Sequence, residues 1–200
     1  MAKIQKTDAK RKQGRRRNPK KATAQSLRNA ALYYLQRYAS SAENLRRVLM
    51  RRVERASRVH GTNVEEGAAI VAEIIARYRE AGLLDDQAYA TAQAQSLHRR
   101  GTSLRAIRAR LHAKGVERGT IEQALSALDT AARHPDISAA VVVARRRRLG
   151  PWRISGRLEY RQQDLAALAR RGFSFATASQ VVDAESVEFL EGLVEARDAD

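Results

Sequence analysis

The chain has 200 residues, 44% of them hydrophobic but only 5% aromatic, and a net charge of +16. That length suits one or two ordinary domains, or a tandem array of helical units of about 45 residues. The absence of cysteine excludes disulfides, thiol catalysis and cysteine-ligated zinc or iron–sulfur sites.

No apolar run approaches the length of a membrane span, and the N-terminus lacks the apolar stretch of a secretory signal, so a cytoplasmic protein is expected. The charge is unevenly placed. Residues 1–21 hold ten Lys/Arg and one Asp, while the remaining 179 residues carry 28 basic and 21 acidic side chains. This balance favours a polyanionic partner.

Residues 1–24 have almost no large apolar side chains and are expected to be a disordered basic arm. Lys10, Arg11 and Lys12, followed by Arg15, Arg16 and Arg17, would make it an electrostatic arm; a solubilising tail is the alternative.

A first repeat is expected over residues 25–83. Leu27, Ala31, Tyr34, Leu35 and Tyr38 form one helical stripe, and Ser40 with Glu43 offers a capping box for a second helix carrying Leu45, Val48, Leu49 and Val53. Ser57–Gly61 reads as a loop. Asn63 with Glu66 then opens a third helix, with Ile70, Val71, Ile74, Ile75 and Tyr78 on one face.

Residues 84–132 form a second repeat with clear punctuation. Asp85 or Asp86 can cap its first helix, where negative charge is favoured. Gly101 breaks the chain, and Thr102 or Ser103 recaps it. Leu104, Ile107 and Leu111 line the next helix, Gly115 stops it, and Ile121, Ala124, Leu125 and Leu128 define the third.

The third repeat is expected over residues 133–184. Pro135 and Asp136 open a helix through Ile137, Ala140, Val141 and Ala144 into Arg145–Arg148. After the Leu149-Gly150-Pro151 break, a helix with Leu158, Leu165 and Leu168 stops at Gly172. A last helix carries Phe175, Ala178, Val181 and Val182. Residues 185–200 read as a short C-terminal helix and tail, with Phe189, Leu190, Leu193 and Val194.

The repeats are related. Leu111 to Val116 matches Leu168 to Phe173, with Gly115 and Gly172 in register. Leu49 answers to Leu111, but Val53 stands where the glycine should be. The pattern predicts an all-α array of three three-helix repeats.

The chain lacks the sequence marks of catalysis. It contains no phosphate-cradling glycine loop, no serine in a nucleophile elbow and no helical His pair with a glutamate, so no enzyme activity, metal or cofactor is expected. The basic residues are the remaining candidates: Arg99, Arg100, Arg105, Arg108 and Lys114 in the second repeat, then Arg145, Arg146, Arg147 and Arg148, then Arg170 and Arg171. Cations stabilise helix C-termini, but the excess exceeds what capping requires, so these are the expected partner-binding residues.

Leu83-Leu84-Asp85-Asp86-Gln87-Ala88-Tyr89-Ala90 resembles the L-[LI]-[DN]-D-x-x-[YF]-A motif of the RecX regulatory family. The segment from Gly101 to Val116 resembles that family's G-x-x-x-x-x-I-x-x-x-L-x-x-K-G-[IV] stretch, and Arg170 to Ser174 its R-R-G-F-[SD] ending. The three motifs lie in order within about residues 27–184. The resemblance implies a curved array and a non-enzymatic modulator of the RecA recombinase, working in recombination, DNA repair and the SOS response. It would act, expected as a monomer, in the groove of RecA–DNA filaments, hindering filament growth, ATP hydrolysis and strand exchange. The alternative is a direct nucleic-acid-binding module of the helix-turn-helix kind.

Overall fold

The computed structural model describes residues 18–61, 63–131 and 134–195, and these are entirely helix, turn and loop. The helices are α1 (Ala24–Leu35), α2 (Ala42–His60), α3 (Val64–Glu80), α4 (Asp86–Arg99), α5 (Leu104–Ala113), α6 (Arg118–Ala131), α7 (Pro135–Arg147), α8 (Arg161–Ala169), α9 (Phe175–Val182) and α10 (Val187–Glu195), with a 3-10 turn at Gly150–Trp152.

The apolar stripes close into three separate cores. Leu27, Leu45, Leu49, Val53 and Val71 anchor the first, Ile107, Leu111 and Ile121 the second, and Val143, Leu168, Val181 and Leu190 the third. Full burial of each such side chain contributes roughly 1.5–3 kcal/mol. Leu190 places α10 inside the third core, so the closing helix is part of that unit's packing.

Local chemistry corrects several expectations. α2 does not stop before a loop: Ser57 to His60 are helical, Ala56 is fully buried, Arg58 and His60 suit the negative helix end, and Gly61 closes it at φ +65°. Val53 is accommodated because it faces Gly67 of α3, where a Cβ would lie 2.3 Å from the Val53 side chain. Ser41, not Ser40, caps α2, and Glu43 turns to Arg46 and Arg47. Leu158 and Phe175 are 88% and 72% exposed, and α8 starts only at Arg161.

The arm is also shorter at its inner end than expected. Ala22 is buried in the first core, Thr23 caps α1 and Ala24 begins it. Lys10, Arg11, Lys12, Arg15, Arg16 and Arg17 lie outside the described residues.

Neighbouring units are joined by one recurrent polar junction. The Ser41 hydroxyl donates to the Lys114 carbonyl at 2.5 Å, and the Ala42 N–H donates to Asp86 Oδ1 at 2.8 Å. One unit later, the Ser103 hydroxyl donates to the Arg171 carbonyl at 3.0 Å, and the Leu104 N–H donates to Asp136 Oδ1 at 2.8 Å. In both cases the second helix of a unit has its N-terminus completed by the next unit. Asp86 and Asp136 therefore cap across the junction, whereas Asp85 caps α4 through the Ala88 N–H at 2.9 Å and His134, not Asp136, holds the cap position of α7.

Gly115 and Gly172 make this contact possible. Both have positive φ, at +74° and +89°, and both press against the preceding unit. A Cβ at Gly115 would lie 2.2 Å from Glu43 Cγ, and one at Gly172 would lie 2.8 Å from Ser103 Oγ. Gly101 makes a related approach to α7, within reach of the Val143 side chain and the Ala139 carbonyl.

Candidate basic partner-binding face

The arginines fall into two groups once their partners are known. Some are tied into the fold. Arg108 makes a two-pronged pair with Glu122 of α6, at 2.8 and 2.9 Å, and this pairing holds the half-exposed Glu122 carboxyl below its ordinary pKa. Arg145 is paired with Glu191 of α10. Arg47 donates to the Ala113 carbonyl, and Arg157 donates to the carbonyls of Val182, Ala184 and Glu185 at the end of α9.

Arg153 holds the most buried pair. Its guanidinium meets both oxygens of Asp164, at 2.8 and 2.7 Å, and Asp164 is 1% exposed. Burial alone would raise the Asp164 carboxyl, but Arg153 and the Gly150 N–H outweigh it and leave the group below the usual carboxylate range. Arg161 pairs likewise with Asp183.

The second group has no ion pair among the described residues: Arg99, Arg105, Arg146, Arg147, Arg148, Arg170 and Arg171. Arg100 spends one donor on the Ser96 carbonyl, and Lys114 reaches only Asn44 Oδ1 at 3.5 Å.

The second and third units bring many of these together. Arg99 and Arg100 end α4, and the adjoining Gly101 seats on α7 at Ala139 and Val143, one turn before Arg146 and Arg147. Arg171 precedes Gly172, which abuts the start of α5. Burial, and then the like charges of Arg147 and Arg146, press the Arg171 guanidinium below its ordinary pKa. Arg105 follows Leu104, the residue bonded across the junction. It also lines a cleft of about 840 Å³ between α5 and α6, together with Arg108, His112 and Arg118.

The junction between units two and three thus gathers more cations than the one carboxylate there, Asp136, which is engaged by the Leu104 N–H. Arg148, at φ +55°, and Arg170 are exposed at its edge. Among the described residues there is no group of His, Asp or Glu able to hold a metal ion, and no helix is long and apolar enough to cross a membrane.

This geometry has relatives. Residues 85–125 match the RecX second three-helix domain. Regulatory protein RecX of Myxococcus xanthus is 42% identical over 178 residues, covering 88% of this chain and 94% of that protein. The chain belongs to the RecX family. Regulatory protein RecX of Agrobacterium fabrum is 35% identical over 156 residues, covering 78% of this chain and 80% of that protein. A crystal structure of RecX from Lactobacillus salivarius superposes with a TM-score of 0.58 at 16% identity, over 83% of this chain and 97% of that one. A second RecX crystal structure also gives 0.58, at 21% identity, over 80% of this chain and 71% of that one. At such identities the structural likeness speaks for the fold, an all-helical RecX architecture. The RecX relatives are regulatory proteins by name, and the chain is accordingly a non-enzymatic regulator of that family.

One exposed basic row of the array is not among the residues expected from the sequence. α2 carries Arg52, Arg55 and Arg58 at a constant spacing of three, exposed on its outer face. The row is written in the sequence as that spacing, alongside the apolar stripe Leu45, Leu49, Val53 of the same helix.

Proposed function

We propose that the chain regulates RecA by binding within the groove of the RecA–DNA filament, restraining filament growth, ATP hydrolysis and strand exchange. The observation that carries this reading is the cluster of Arg146, Arg147 and Arg171, none of them in an ion pair among the described residues, at the junction of residues 84–132 and 133–184, with Arg99 and Arg100 adjoining the Gly101 that seats on α7. Concentrating like charge destabilises a fold unless a partner of opposite sign completes it, and a protein–DNA polymer supplies such a surface. Membership in the RecX family supports RecA as that partner.

The test is the ATPase rate of RecA on single-stranded DNA. The chain should lower that rate at or below equimolar ratio. Arg146→Gln with Arg147→Gln should weaken the effect by on the order of tenfold, the loss of one to two kcal/mol at a charged interface. An unaltered ATPase rate with the intact chain at low salt would rule the proposal out.

A further inference from the structure

The first unit holds a charged cleft well removed from that cluster in the chain. α2 spans 19 residues, against 10 in α5 and 9 in α8, and the extra length lies beyond Val53. The extension gives Ala56 to the core. Outwardly, α2 sets Arg52, Arg55 and Arg58 in a row, each step a rise of about 4.5 Å.

The segment before α1 makes the opposite wall. His60 Nε2 donates to the Pro19 carbonyl at 2.6 Å, and the Lys21 carbonyl accepts from the Ser26 hydroxyl at 2.6 Å. These bonds, with buried Ala22, set Lys20 and Lys21 across from the arginine row. The cleft between the walls has a volume of about 530 Å³ and is lined by these five cations and no carboxylate. Arg55 donates once, to the Arg51 carbonyl at 3.0 Å. The other four form no ion pair among the described residues.

We propose that this cleft is a separate polyanion site, and that its ligand is a nucleic-acid strand held by its phosphodiester backbone. A guanidinium fork matches two oxygens of a phosphate, and three forks in a row match a polymer better than a single ion. The walls are concave, which suits a strand lying between them and not the flat face of a bilayer. Val59 at the rim adds apolar surface for a sugar or base. In sequence, Lys20 and Lys21 are preceded by the basic clusters Lys10–Lys12 and Arg15–Arg17, which lie outside the described residues. This site needs no protein partner.

The experiment is anisotropy of a fluorescein-labelled oligothymidylate with the full chain, without RecA, over a salt series. Binding by phosphate contacts makes the logarithm of affinity fall linearly with the logarithm of salt, by about 0.7 per contact on a single strand. Arg52→Gln, Arg55→Gln and Arg58→Gln together should flatten that slope by about 2, and Lys20→Gln with Lys21→Gln by about 1.4. The lysine pair lies outside any helix, so it decides the matter even if the triple variant fails to fold. Arg146→Gln with Arg147→Gln should leave the contribution of the cleft intact. The proposal is overturned if the Lys20/Lys21 variant keeps the wild-type slope. It is equally overturned if the cleft variants lose only binding to phosphatidylglycerol vesicles or to polyglutamate while oligonucleotide binding is unchanged.

Discussion

Asp164 shows how a charge is kept inside an aliphatic core. It sits on α8 with one oxygen shared by the Gly150 N–H and Arg153, the other on Arg153, and Arg153 also lies 4.5 Å over the Tyr160 ring. Replacing it by Asn removes the counter-charge and leaves the guanidinium partly buried, so Asp164→Asn should cost about 3 kcal/mol, read from denaturant midpoints. The folded pKa lies below the unfolded value of about 3.9. Its stabilisation is therefore complete above that pH and is lost as the pH falls through the folded value. Glu43 follows the same sign: Arg46 chiefly, against burial and with help from Arg47, pushes its carboxyl down from 4.5 to about 2. The melting temperature should accordingly drop between pH 4.5 and 2, and a Glu43→Gln, Asp164→Asn variant should show a shallower drop over that window.

At the scale of single elements, glycine positions are decided by what lies across the junction. Gly115→Ala must place a side chain at φ +74° and against Glu43, itself held by Arg46 and Arg47. A loss of about 1–2 kcal/mol is expected from the backbone alone, with more if Glu43 cannot move. A chemical denaturation curve would show it, and a loss within error would mean that the turn relaxes freely. Much at this scale was readable from residues: the glycine stops, the stripes of Leu45–Val53 and Leu104–Leu111, and the third helix of each unit. Other details were not, because their causes are remote in sequence. Asp86 looks like an ordinary cap until its partner Ala42 is seen, and Arg108 looks like a free cation until Glu122 is found on the next helix. Ser57–Gly61 resembled a loop because serine and glycine are loop formers locally, and the burial of Ala56 that prolongs α2 comes from tertiary packing.

Across the whole molecule, three cores joined by small polar junctions should behave as coupled, nearly separate units. Asp86→Ala and Asp136→Ala each remove a bond to a helix N-terminus, worth about 1 kcal/mol, without touching any core. The double variant should lose cooperativity more than total helix. Its urea transition should broaden, with a lower apparent m, and circular dichroism should start from the wild-type value. A transition as sharp as that of the wild type would show that apolar contacts alone couple the units. The same chain-wide view explains why the proposed partner surface was only partly legible. The runs Arg99-Arg100, Arg145–Arg148 and Arg170-Arg171 are obvious in sequence. Only the docking of Gly101 on α7 and of Gly172 on α5 brings Arg146, Arg147 and Arg171 to one place, while Arg145 is withdrawn by Glu191.

The junction also gives the array a direction. The first and second units offer a serine hydroxyl and a free helix N–H forward, and the second and third present an aspartate and a carbonyl backward. At the corresponding position of the third unit, before α8, stands Tyr160, which makes no capping bond. The middle unit, by contrast, carries both the socket and the plug. A gene duplication that copied it in tandem would give a four-unit protein whose every seam is already solved, and such a chain is expected to fold with proportionally more helix by circular dichroism.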